Sequence, residues 1–353
     1  MGIRPSKPVG SDKKKSSKTK QNTTPLNASP LSLLPTERIL QIASLLPRDA
    51  IAALALSCQS LRLALPNSRF RLPWEDKLNL LILLEQDLPG HTVCRYCRKL
   101  HAIEKADLYL PTRLMRAPYS KCRWEQVYTL ITDRFFHRRF SIIVFEMAVK
   151  QDRLGRDISK LLGLLSSEVR TDQMDGHIER HSVLARVIDG CLMIREQRVC
   201  FMPCSHQEPL PRNARFNICP HFTLSVHNFE RLSGMASRFD RSDLPDMEAC
   251  PPGPDLIPCR HCHTEFRIDF RSFGDSGTGV SIITWKDLGE SLLGDKWRSL
   301  IGNDVDMVTF DRGSIGTAFE GEDYRLFKPD WSLEPQLRKK LLKQLKRLKL
   351  LVR

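Results

Sequence analysis

The chain has 353 residues, of which 41% are hydrophobic and 27% are charged, as is ordinary for a soluble globular protein. This length suffices for one large domain or two modest ones. No apolar run approaches the roughly 18–20 residues that cross a bilayer, and the N-terminus lacks the apolar stretch of a secretory signal. We therefore expect a cytosolic or nuclear protein without a transmembrane segment. In those compartments the eleven cysteines are not expected to form a disulfide framework.

The net charge of +14 is concentrated at the two ends of the chain. Residues 1–24 carry a net charge of +6 and residues 333–353 carry +7, which leaves about +1 for everything between them. A folded groove for phosphates is therefore not indicated, and binding to nucleic acid or acidic lipid is expected to be weak and to involve the tails. Residues 1–30 have almost no apolar content, which predicts disorder.

The first segment with folded character spans residues 31–65 and predicts short helices. Pro35 stands where a helix start tolerates proline, and apolar residues from Ile39 to Leu46 then recur at helical spacing. Pro47 ends that helix, and Asp49 is a suitable N-cap for the next one. Apolar residues extend beyond one face of each predicted helix, which indicates a unit that binds a partner.

This segment resembles an F-box. The resemblance rests on Leu34-Pro35 at the start, Glu37-Arg38-Ile39-Leu40 in the first helix, then Asp49, and Ser57-Cys58-x-x-Leu61-Arg62 at the end. It implies docking on the Skp-family adaptor of a cullin–RING ubiquitin ligase. The residues that it implies for this contact are Leu33, Leu34, Pro35, Ile39, Leu40, Leu54, Cys58 and Leu61. Leu61-Arg62 stands where many members have a tryptophan, and an ordinary helical hairpin in a core is the alternative.

The rest of the chain resembles the body of a large group of fungal F-box proteins. The matching stretches are LLEQDLPGHTVCRYCRKLH, FEMAVKQDRLGRDISKLLGLL, ICPHF, CRHCHTEFRIDF and ITWKDLGESLLGDKW. The resemblance implies recruitment of an unknown protein substrate and no established activity.

Apolar spacing in the body indicates both helices and strands. Residues 74–88 and 123–150 have helical periodicity. Alternation at residues 266–270 predicts a strand, and residues 280–284 predict a returning strand after a glycine-rich turn. Residues 285–293 are predicted to begin another helix. The predicted fold is α+β: a disordered tail (1–30), a helical F-box (31–70), a mixed body (71–332) and a basic helix (333–353).

Paired cysteines and nearby histidines are candidate zinc ligands, because zinc takes four sulfur or nitrogen ligands tetrahedrally. The candidates are Cys94, Cys97 and His101 in one set, and Cys219, His221, Cys259 and Cys262 in the other. The first set needs a fourth ligand, for which Cys204 and His206 are candidates. Such a zinc ion would be structural, since neither set has a base beside an open coordination position. The alternative is buried cysteines beside surface histidines.

No sequence pattern indicates catalysis. Asp275-Ser276-Gly277-Thr278 is similar to an aspartic-protease signature, but that chemistry needs two carboxylates and a glycine-rich turn explains the same residues. We therefore expect a non-catalytic adaptor of an SCF-type ubiquitin ligase. The competing hypothesis is a zinc-stabilised nucleic-acid or chromatin protein. The basic C-terminal helix either binds a partner or packs its leucines on the body.

Overall fold

A computed structural model describes residues 33–65, 71–95, 97–111, 122, 135–137, 140–174, 177–202, 215–225, 256–272, 278–302 and 307–331. The chain forms two compact units, Met1–Leu84 and Glu85–Arg353. Several sequence predictions lie outside the described residues: the tail 1–30, the turn 274–277, the helix 333–353, and both Cys204 and His206.

The first unit begins with three short helices: α1 (Thr36–Leu45), α2 (Arg48–Ser57) and α3 (Gln59–Ala64). Pro35 and Pro47 occupy the N-cap positions of α1 and α2, so each proline separates a helix from the preceding chain. Asp49 is therefore not the N-cap that the sequence predicted. It lies in the first turn of α2, where a negative charge interacts favourably with the helix dipole and stabilises the helix.

A small apolar core holds these helices together. It contains Ala43, Ile51, Ala55 and Leu65, and the side chains of Leu46 and Leu54 pack against it. The buried residues are few and two of them are alanines with short side chains, so the core covers only part of the apolar surface of the helices. A further helix, α4 (Trp74–Asp87), follows and confirms the prediction for residues 74–88.

The second unit is built on a six-stranded antiparallel sheet and two hairpins. The hairpins are β1 (His91–Cys94) with β2 (Lys99–Ala102), and β6 (Arg215–Cys219) with β7 (Phe222–Ser225). The sheet has the order β3-β4-β5-β10-β9-β8. Its strands are β3 (Ser167–Met174), β4 (His177–Ile188), β5 (Cys191–Met202), β8 (Ile257–Pro258), β9 (Thr264–Ser272) and β10 (Thr278–Gly289).

Helices cover both faces of this sheet. They are α5 (Ile142–Arg153), α6 (Ser159–Leu165), α7 (Asp295–Ile301) and α8 (Ser314–Glu320), with 3-10 turns at Ile103–Tyr109 and Tyr324–Leu326. On one face Phe145 of α5 and Trp297 of α7 share a core with Ile194 of β5. On the other face Trp285 packs with Ile315 and Phe319 of α8 and with Tyr324, which follows that helix. The mixed α and β content predicted from the sequence is confirmed.

The strand pair predicted at residues 266–270 and 280–284 is also confirmed, but the helix predicted to begin at Trp285 is wrong. Strand β10 continues to Gly289, and Trp285 pairs with Arg195 of β5 and with Glu265 of β9. Pairing on both edges fixes this stretch as a central strand, and the next helix begins only at Asp295. Of the helix predicted at 123–150, the described residues contain α5, and residues 123–134 lie outside them.

Lys150 of α5 fixes the chain that leads into the first hairpin. Its Nζ donates hydrogen bonds to the carbonyl oxygens of Glu85 at 2.8 Å and His91 at 2.7 Å, and lies 3.4 Å from the Glu85 carboxylate. Replacing Lys150 removes these charge-assisted hydrogen bonds and the ion pair from a half-buried site, and leaves the Glu85 carbonyl only the backbone N–H of Leu88 at 3.3 Å.

We expect Lys150→Met to lower the free energy of unfolding of the second unit by about 2–3 kcal/mol. Chemical denaturation followed by tryptophan fluorescence measures the change. Lys160→Met is the matched control, because the exposed Lys160 makes a single long bond of 3.5 Å. An equal effect of the two substitutions would contradict the stabilising role that we assign to the contacts of Lys150.

Candidate functional site

The first hairpin of the second unit brings together a cluster of metal-ligand residues. Cys94 ends β1, Cys97 lies in the turn, and His101 belongs to β2. Arg98 adopts a left-handed backbone (φ 49°), and its N–H donates to the Cys94 carbonyl at 2.8 Å, which closes the turn. This tight turn places both cysteine sulfurs on the same side, as a metal knuckle requires.

Cys122 supplies the fourth member of this cluster, which we name the hairpin cluster (Cys94, Cys97, His101, Cys122). The sulfurs of Cys94 and Cys122 lie 3.5 Å apart, and the Cys97 sulfur lies 3.1 Å from His101 Nε2. All four potential ligand atoms lie within 4.8 Å of one another. Sequence reasoning considered Cys204 and His206 here and missed Cys122, because a lone cysteine has no spacing signal.

The second cluster contains the four residues that the sequence grouped: Cys219, His221, Cys259 and Cys262. We name it the sheet-edge cluster. Cys219 ends β6 and His221 follows in the turn, while Cys259 and Cys262 lie between β8 and β9. The Cys259 sulfur lies 3.7 Å from the Cys219 sulfur and 3.8 Å from His221 Nδ1. Again the ligand atoms all lie within 4.8 Å of one another.

The separations between these sulfurs match a shared metal ion rather than a disulfide. Two sulfurs bound tetrahedrally to zinc at about 2.3 Å lie about 3.8 Å apart, whereas a disulfide requires about 2.05 Å. The observed distances are 3.5 Å and 3.7 Å, and no disulfide joins the described cysteines of either cluster. Both clusters are therefore compatible with structural zinc.

Hydrogen bonds within each cluster favour the thiolate of one cysteine, the form that binds metal. Hydrogen bonding by Cys219, and then by Cys262, lowers the pKa of the Cys259 thiol to about 2. Hydrogen bonding by Cys122, and then by Cys97, likewise lowers the pKa of Cys94 far below its usual value. The same hydrogen bonds raise the pKa of Cys219, through Cys259, to about 12 and raise the pKa of Cys262, through Cys219, so they favour a single thiolate in the sheet-edge cluster.

Each cluster joins parts of the chain that are distant in sequence. The hairpin cluster joins Cys94 to Cys122, 28 residues later, and the sheet-edge cluster joins Cys219 to Cys259, 40 residues later. Closing such loops costs conformational entropy, which a metal bridge would offset. Cysteines of both clusters also belong to the apolar core around α5. The arrangement is thus suited to stabilising the fold, with three cluster residues in each case buried.

The first unit presents a different kind of site, a set of exposed apolar side chains. Leu33, Leu45 and Leu63 are 85%, 83% and 79% exposed. The whole set, which we call the exposed leucine surface, comprises Leu33, Leu34, Leu40, Ile42, Leu45, Leu56 and Leu63. Leu33 and Leu34 precede α1 and the others lie on the three short helices, and so many exposed large apolar side chains are typical of an interaction surface.

The predicted adaptor-binding residues divide into three groups by their burial in the structure. Leu33, Leu34, Pro35 and Leu40 are exposed, and Leu54 and Cys58 are half-buried. Ile39 and Leu61 are instead buried inside the unit, at 7% and 1% exposure, so they support its core rather than offer a surface. Helical periodicity could not separate these roles, since apolar residues occur on several faces of each helix.

No protein-family model, curated protein or solved structure matches this chain. Among the helices in the described ranges, none has both the length and the apolar character needed to cross a membrane.

Proposed function

We propose that this protein is a non-catalytic substrate receptor of an SCF-type ubiquitin ligase. The first unit docks on the Skp-family adaptor, and the second unit recruits a protein for ubiquitination. The mechanism is proximity: the receptor holds its substrate beside the ligase. The observation that carries the proposal is the exposed leucine surface on a small helical unit whose sequence resembles an F-box.

Burial of this surface by a partner explains its composition. Fully burying a leucine side chain stabilises a complex by roughly 1.5–3 kcal/mol. Leu33, Leu45 and Leu63 are nearly fully exposed, so they gain most from such burial. The small core beneath them contains other residues, so the surface is free to bind without loss of the helical fold.

Full-length protein carrying Leu34→Asp and Leu45→Asp is expected to lose co-purification with a co-expressed Skp-family adaptor. A carboxylate buried in an apolar interface has no partner, and its desolvation opposes binding. Both positions are exposed, so the melting curve should stay unchanged. Leu293→Asp is the control, because Leu293 is similarly exposed (47%) but lies in the second unit. Undiminished adaptor binding by the double variant would refute the proposal.

In this proposal the hairpin cluster and the sheet-edge cluster each hold one structural zinc ion. The support is the donor set: three sulfurs and one imidazole in each case, at separations suited to tetrahedral coordination. Zinc there would fix the two hairpins against the core of the recruiting unit. The four donors fill a tetrahedral site and leave no position for substrate, so the role is structural.

The second candidate, a nucleic-acid or chromatin protein, has less support. Arginines of the central sheet form ion pairs with carboxylates: Arg195 with Glu320, and Arg198 with Glu196. Paired guanidinium groups are poorly suited to phosphate binding. Tight, steeply salt-dependent nucleic-acid binding by protein that lacks both basic tails would favour this candidate.

A further inference from the structure

One face of the six-stranded sheet is crossed by residues Tyr324–Trp331, which we name the crossing segment. Arg267 of β9 donates hydrogen bonds to the carbonyl oxygens of Tyr324 at 3.2 Å and Phe327 at 2.8 Å. Arg180 of β4 donates to the carbonyl oxygen of Asp330 at 3.2 Å. Strands β10 and β5 lie between β9 and β4, so the segment passes over the centre of the sheet.

These three carbonyl groups recur every third residue. Tyr324 begins a 3-10 turn, which has three residues per turn, and Phe327 follows it with φ −64° and ψ 120°, close to the polyproline II conformation. Lys328 precedes Pro329, a position that also favours extended backbone. The Tyr324 carbonyl also accepts from the Phe327 N–H at 3.2 Å within the 3-10 turn. Polyproline II backbone has no internal hydrogen bonds, so extended chain from Phe327 onward leaves its carbonyl groups available to a receptor.

Tyr324, Phe327 and Asp330 of the crossing segment contact the sheet through their side chains, and Tyr324 meets Trp285 edge-to-face at 6.3 Å. The guanidinium of Arg195 lies 4.2 Å from the ring centroid of Phe327, and Trp285 meets the same ring edge-to-face at 6.4 Å. The carboxylate of Asp330 accepts from Arg180 at 2.5 Å. Extended proline-containing ligands are commonly bound on aromatic side chains of the receptor, and Trp285 is such a side chain on this face.

The sheet beneath the segment retains unused hydrogen-bonding capacity. Gln197 Nε2 and Ser281 Oγ are buried and find no partner among the described residues. Gln197 is 7% exposed and Ser281 is fully buried. Strand alternation places Gln197 on the face of Arg195, and Ser281 on the face of Trp285, which is the face that the segment crosses. Buried polar groups are normally paired, so the crossing segment leaves two hydrogen-bonding groups of this face unused.

We propose that this sheet face is a recognition surface for an extended, proline-containing segment of a partner protein, and that the crossing segment occupies it in cis. The partner segment carries an aromatic residue and, three residues later, a carboxylate. It places these where Phe327 and Asp330 lie, and offers polar groups to Gln197 and Ser281. This proposal deepens the recruiting role proposed above, because it assigns the surface and the chemistry of what is recruited.

The test uses full-length protein and a fluorescent peptide with the sequence of residues 323–331, DYRLFKPDW. Phe327→Ala with Asp330→Asn weakens the cis contacts. Because a tethered competitor acts at an effective concentration in the millimolar range, we expect the peptide to bind this variant at least about tenfold more tightly than the wild type. Adding Arg180→Gln should reverse the gain by about tenfold, and a scrambled peptide should bind neither protein.

Equal binding of the peptide to wild type and variant, or binding to neither while both are folded, would overturn the proposal. If the double variant is unfolded by circular dichroism, Asp330→Asn alone serves, because it keeps the aromatic contact. The expected gain in peptide affinity is then smaller, and the absence of any gain would equally overturn the proposal. Co-purification with the Skp-family adaptor is measured on the same proteins, so failure here is distinguishable from failure of the receptor proposal.

Discussion

Full-length protein with Cys259→Ser and Cys262→Ser is expected to lose one zinc ion per chain and the cooperative unfolding of the second unit. Structural zinc contributes about 10 kcal/mol or more of binding free energy in small zinc-finger peptides at pH 7. A domain is stable by only about 5–15 kcal/mol. The sheet-edge cluster adjoins the core around α5, so its loss should affect the whole unit. Elemental analysis and thermal denaturation measure the two effects.

Cys200→Ser is the matched control for this experiment. Cys200 is as buried as Cys259 but belongs to neither cluster, so its replacement should leave the metal content unchanged. Wild-type protein that is reduced, folded and free of metal by elemental analysis would contradict the zinc assignment.

Glu196→Gln is expected to destabilise the second unit by about 3–5 kcal/mol, the range found when one member of a buried ion pair is removed. The Glu196 carboxylate lies 2.5 Å from Arg198, 2.8 Å from His181 and 3.3 Å from Lys286, and the Lys286 side chain is only 1% exposed. The amide cannot balance the remaining buried charges. Glu290→Gln is the control, because that carboxylate pairs with Arg153 at the surface, where it is 70% exposed.

The same carboxylate predicts how stability depends on pH. Burial alone would raise the pKa of Glu196, but Arg198 and Lys286 together hold it well below its usual value. The folded state therefore binds fewer protons than the unfolded state, where the pKa is about 4.3. The resulting stabilisation is present above that value and is lost as the pH falls towards the folded pKa. Urea denaturation between pH 7 and pH 3.5 should show this loss in wild type and a flatter profile in Glu196→Gln.

Local patterns predicted those parts of the fold in which one short stretch carries the whole signal. Helix α4 follows from its apolar spacing, and β9 from the alternation around Ile268. The sheet-edge cluster was grouped correctly because Cys259 and Cys262 form a recognisable pair. Their spacing already brings two sulfurs to one side of a turn.

Features set by distant contacts were not predictable in this way. Strand β10 was assigned too short because the residues after Trp285 have no clear alternation; pairing with β5 and β9 extends it. Glu196 and Arg198 place charges where a buried strand face would have apolar residues, and Lys286, which pairs with Glu196, lies 90 residues away from it. Cys122 joins the hairpin cluster without any neighbouring ligand in sequence.

The strand order of the sheet has a consequence for how the molecule could be divided. Strands β3, β4 and β5 precede residues 203–214, and strands β8, β9 and β10 follow residue 255, yet β10 pairs with β5 along its length. The two halves of the sheet are thus joined by the pairing of β5 with β10, two strands that no short turn connects. Two separately expressed fragments, divided between residues 226 and 255, each contain three strands of one sheet. Each fragment exposes an edge strand, β5 or β10, that can pair with the other, so the second unit is a natural candidate for a split-protein complementation pair.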